Sequence, residues 1–64
     1  MGAEQVTAKA SGREFSASSW NGVVSKIAAA YRLSTTAGER VAAARELAEG
    51  KTTVLDGTGI RPVA

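Results

Sequence analysis

Sixty-four residues carrying eight Lys and Arg, six Asp and Glu and a net charge of +2 describe one small domain, near the lower limit at which a hydrophobic core holds a chain folded unaided. The chain has no Cys and no His, which excludes disulfides, a Cys/His metal site and the commonest proton-transfer and nucleophilic groups of enzymes. Lys9, Arg13, Lys26, Arg32, Arg40, Arg45, Lys51 and Arg61 are scattered singly, a pattern of solubilising surface rather than of a phosphate-tracking patch.

Hydrophobic residues make up 44% of the chain, but 13 residues are Ala, which favours helix and adds little buried area. The expected core is therefore thin, and oligomerisation or docking into a larger particle is the common remaining source of stability for a domain of this size. The N-terminal residues show no basic stretch followed by an apolar run, and no apolar stretch is long enough to span a bilayer. These features lead to the expectation of an unexported, cytoplasmic protein without a membrane partner.

In chain order, residues 1–5 read as a frayed lead-in. Val6, Ala8 and Ala10 then alternate with Thr7 and Lys9, and Phe15 and Ala17 alternate with Glu14 and Ser16 beyond Ser11-Gly12, predicting a hairpin of strands 6–10 and 13–17. A two-residue turn at Ser11-Gly12 sets Ala8 against Phe15 and Lys9 against Glu14, an opposite-charge cross-strand pair. Ser18 and Ser19 offer an N-cap for a helix over about 19–32, whose stripe Trp20, Val23, Val24, Ile27 and Tyr31 follows the helical period. Gly22 in its first turn implies close packing or a loose start.

A short connection over 33–38 leads to a second helix at about 38–49, capped by Thr35 or Thr36 and ended by Gly50. The short link makes the helices antiparallel neighbours, with Val41, Ala44, Leu47 and Ala48 expected to face the first. Residues 52–55, Thr-Thr-Val-Leu, read as a strand returning along the hairpin and ending at the Asp56-Gly57 turn. Pro62 argues against a central strand in the remaining tail, so 56–64 is expected to be flexible or partner-docking. The predicted fold class is α+β, a small antiparallel sheet on a two-helix hairpin, in a single domain over 1–64.

No catalytic, cofactor or metal site emerges. Gly50-Lys-Thr-Thr53 resembles the end of a phosphate loop, but it follows a helix and precedes a strand, the reverse of what that loop requires. Glu39, Glu46 and Glu49 share a helix with Arg40 and Arg45, and the Arg45/Glu49 spacing describes surface pairing. The expected function is a non-enzymatic assembly module whose partner is itself or a larger protein assembly. Val54, Leu55, Ile60, Arg61 and Val63 are its candidate interface. The alternative is a small DNA-binding helix-turn-helix regulator, with Arg40 and Arg45 of helix 38–49 as its nucleic-acid contacts and three glutamates of that helix opposing them.

Two stretches also carry a family resemblance. Arg13-Glu-Phe-Ser-Ala-Ser-Ser19, a strand running into a capped helix, resembles the second half of the head-to-tail joining protein W family of lambda-like phages. Glu39-Arg-Val-Ala-Ala-Ala-Arg-Glu-Leu-Ala-Glu-Gly-Lys51, an Ala-rich helix leading into a strand, is similar to that family's first half. The halves occur here in the opposite order, as in a circular permutation joined through Ser34 to Gly38, and strand 6–10 is an addition. The resemblance implies two antiparallel helices on a small sheet and a ring-forming, head-completion role at the phage portal, with the virion as location.

Overall fold

A computed structural model describes residues 4–63. The elements are β1 (Val6–Ala10), β2 (Arg13–Ala17), α1 (Trp20–Ala30), α2 (Ala37–Ala48), β3 (Thr53–Leu55) and β4 (Thr58–Val63). All strands pair antiparallel in one sheet of order β2-β1-β4-β3, and both helices lie on one face, which makes this a small α+β fold.

The hairpin forms in the expected register. Val6 faces Ala17, Ala8 faces Phe15 and Lys9 faces Glu14. Ser11 and Gly12 have φ of 52° and 79°, and positive φ at both central residues is the turn whose twist matches that of two-residue hairpins. Asp56 and Gly57, with φ of 49° and 78°, repeat the arrangement between β3 and β4. Side chains alternate across each strand, so Ala8, Ala10, Phe15, Thr53, Leu55 and Ile60 face the helices and are buried. Thr7, Lys9, Glu14, Ser16, Val54, Arg61 and Val63 share the opposite, uncovered face. On that face Thr7 and Ser16 hydroxyls bond at 2.8 Å.

The C-terminal segment departs from expectation. Residues 58–63 form β4, paired with β1 on one side and β3 on the other, and Ile60 has no solvent exposure. Strand 53–55 consequently pairs with β4, and its return along the first hairpin is replaced by that insertion. Pro62 is accommodated by parity. Leu55/Thr58 closes the β3–β4 turn, so the backbone groups of Thr58, Ile60 and Pro62 point towards β3, while those of Gly59, Arg61 and Val63 point towards β1. β3 has ended before it reaches Pro62, so the missing N–H falls where no ladder bond is due.

Helix termini explain the link between α1 and α2. Ser19 Oγ accepts from Gly22 N–H, and Thr36 forms a capping box with Glu39, each side chain accepting from the other residue's backbone N–H. Both helices end alike: Leu33 N–H donates to Ala28 C=O and Lys51 N–H to Glu46 C=O, with a left-handed residue in between. That residue is Gly50 for α2, as its sequence position implies. For α1 it is Arg32, at φ 52°. Gly22 marks close packing, since a Cβ there would lie 3.0 Å from that of Ala17.

The buried face of α2 also differs from the expected stripe. Ala43, Ala44 and Leu47 are buried, while Val41 is 49% exposed and Ala48 is exposed. α2 must cover β3 as well as α1, which turns its contact face towards Ala43. At the other end of the core, Tyr31 packs edge-on against Phe15 with centroids 5.8 Å apart, and its hydroxyl donates to Ala10 C=O at 3.1 Å.

Two stability measurements follow. Ile60→Ala is expected to lower unfolding free energy in urea by about 2–5 kcal/mol, whereas a tail docked elsewhere would leave it almost unchanged. Arg32→Gly relieves a left-handed residue and is expected to raise stability by about 0.5–1 kcal/mol, with the corresponding shift in urea midpoint.

Candidate partner interface

The five residues expected at an interface separate by strand parity. Leu55 and Ile60 are buried under the helices, at 2% and 0% exposure, so neither side chain is exposed on the free domain. Val54 and Arg61 are exposed on the uncovered sheet face, and Val63 is half-buried there beside Thr7. The alternation of β3 and β4 thus sends two of the five inward and three outward.

Val54 stands out by position. Its side chain is 66% exposed, and β3 is an edge strand. Thr53 and Leu55 direct their backbone groups towards β4, so the N–H and C=O of Val54 point away from the sheet. Beside this edge, β3 and α2 form a groove of about 220 Å³ lined by Glu39, Ala42, Ala43, Glu46, Leu55 and Asp56, among others. The buried Thr53 hydroxyl ties its two walls by donating to Glu46 Oε1, and Asp56 Oδ2 accepts from Ser34 N–H of the link before α2 at 2.8 Å. Among the described residues, three carboxylates and no cation line this groove.

The opposite edge has another character. In β2 the outward backbone groups belong to Glu14 and Ser16, and Lys26 Nζ on α1 donates to Ser16 C=O at 2.6 Å. A lysine over an edge carbonyl is a common guard against strand addition. Arg13 lies on the same strand, its guanidinium 5.2 Å from the Phe15 ring centroid.

A second groove, of about 380 Å³, separates the start of α1 from the end of α2 and is lined by Trp20, Asn21, Val41, Arg45 and Ala48 among others. The helical spacing of Trp20 and Val41 predicts core positions for both. Trp20 is half-buried and Val41 forms part of the groove wall. Neither groove was evident in the sequence, because each joins elements far apart in the chain.

The two arginines assigned to nucleic acid have separate surroundings. Arg40 turns back on the connection before α2, where its Nη1 donates to Thr35 C=O at 3.1 Å and to Thr35 Oγ1 at 2.8 Å. Arg45 borders the Trp20 groove. Glu49 meets Lys51 at 3.1 Å in place of the expected Arg45. Among the described residues no group of three His, Cys, Asp or Glu is placed to hold a metal ion, and no helix is long and apolar enough to cross a membrane. Comparison of the chain with known protein families, with curated proteins and with solved structures finds no match.

The Thr53–Glu46 bond is the polar tie under this edge. Glu46→Ala leaves a buried hydroxyl without its partner and is expected to cost about 1–3 kcal/mol in urea unfolding; an unchanged midpoint would mean that the bond does not hold β3 to α2.

Proposed function

We propose that this chain is a non-enzymatic assembly module, acting through contact with further copies of itself or with a larger protein particle. The observation that carries this reading is the placement of the two large apolar side chains left to solvent among the described residues. Val41 and Val54 each stand at the mouth of a groove, one between the helices and one beside a free strand edge. An exposed apolar edge strand is a template for pairing, and monomeric proteins usually blunt it. The resemblance to the W family supports the same class of role, head completion at a phage head-to-tail joint.

The rival proposal sets α2 in a DNA groove. Arg40 is engaged by Thr35, and the helix carries Glu39 and Glu46, which oppose phosphate approach. Assembly is therefore the better-supported reading.

Sedimentation velocity from micromolar to millimolar chain is the test. The weight-average coefficient is expected to rise with concentration, or on adding a portal-complex component. An unchanged single species in both cases contradicts the proposal, and duplex binding at low salt that is lost in an Arg40→Ala, Arg45→Ala variant would favour the DNA reading instead.

A further inference from the structure

The two edges of this sheet differ in charge as well as in shielding. In an antiparallel sheet of four strands ordered β2-β1-β4-β3, the two edge strands run in opposite directions. A second copy placed alongside in the same orientation therefore offers an antiparallel β2 to the free edge of β3, with all helices on one side. Resting on the assembly role above, we propose that copies of this chain join head to tail, β2 of one copy adding to the β3 edge of the next to make one continuous sheet.

Strand parity permits this addition. The outward backbone groups are those of Val54 on β3 and of Glu14 and Ser16 on β2. Setting Val54 opposite Glu14 of the second copy lets them exchange both ladder bonds, and both side chains then lie on the uncovered face. In this register Leu55 is opposite Arg13 of the second copy, both on the helix side. Arg13 thereby approaches the groove that holds Glu39, Glu46 and Asp56.

Charge selects this arrangement over the symmetric ones. Pairing β3 with β3 across a two-fold axis sets one groove of three carboxylates against another. Joining β2 to β2 brings together two edges that each carry Arg13, Lys26 and a single carboxylate, Glu14, and whose Ser16 carbonyls are already engaged by Lys26. Only the head-to-tail contact sets the basic edge on the acidic one. In it, Lys26 leaves the carbonyl it guards and its ammonium faces the neighbour's carboxylates. Such a heterologous contact closes into a ring when the rotation per copy permits and otherwise extends as a filament.

A pair of edge-blocking variants tests the proposal. Val54→Pro and Glu14→Pro each remove an outward N–H and no ladder bond inside the sheet. Measured by light scattering after gel filtration, wild type is expected to assemble with rising concentration, while each variant stays single. Mixed, the two variants have one compatible pair of edges and are expected to form a dimer and nothing larger. A Glu14→Pro chain that still assembles by itself while Val54→Pro does not would show β3–β3 pairing and overturn the head-to-tail arrangement. Wild-type assembly that persists in both variants overturns edge pairing and leaves the assembly role intact. A wild type that remains single throughout overturns the pairing, and the assembly role is then decided by the portal-component arm of the sedimentation experiment. Should either proline unfold the domain by circular dichroism, Val54→Lys and Arg13→Glu make the same comparison, each expected to weaken assembly about tenfold or more.

Discussion

The insertion of β4 between β1 and β3 is the constraint on which this small domain depends. Ile60 lies opposite Ala10 on one side and Thr53 on the other, so a single buried side chain joins the N-terminal hairpin to the C-terminal one. Without it, β1 and β2 form a two-stranded ribbon under α1, and β3 stays attached only to α2. A lone hairpin is marginal in water, whereas four strands covered by two helices can hold a common core. Closure by β4 also makes the topology non-local, since β1 must wait for residues 58–63, beyond both helices.

Small residues make this closure feasible. Ala8 and Ala10 on β1, with Ala43 and Ala44 on α2, occupy buried positions where the larger Val23, Val24, Ile27, Leu47 and Ile60 supply the apolar bulk. The abundance of alanine thus reflects close approach of helices to sheet as well as helix propensity. Those few large groups make the core compact but limited, and they leave no apolar cover for Val54 at the edge. Guarding differs accordingly: Lys26 covers the outward Ser16 carbonyl of β2, and nothing equivalent stands over β3 among the described residues.

Local chemistry made much of the architecture legible. Both hairpin turns, the Ser19 cap, the Thr36 cap with Glu39 and the end of α2 at Gly50 depend on neighbours within a few residues, and each could be read from the chain. Pro62 argues against a strand by residue type, but its effect depends on which side of β4 its nitrogen faces, and that is set by the β3–β4 register. The buried face of α2 is not legible in the chain, because Ala42, Ala43, Ala44 and Ala48 blur the apolar period that distinguishes one side of a helix from another. Of the interface candidates, Val54 and Arg61 are at the surface while Leu55 and Ile60 are not, a division that pairing alone could reveal. The acidic groove joins α2 to β3 and Asp56, so its carboxylates come together only through the fold.

Residue-resolved amide hydrogen exchange at dilute and at high chain concentration tests the account most directly. The amides of Lys9 and Arg61, bonded between β1 and β4, are predicted to exchange only with global unfolding at both concentrations, while Val54 exchanges freely when dilute and becomes protected when concentrated. Rapid exchange at Arg61 in the dilute protein, or a Val54 amide equally unprotected at both concentrations, would contradict it.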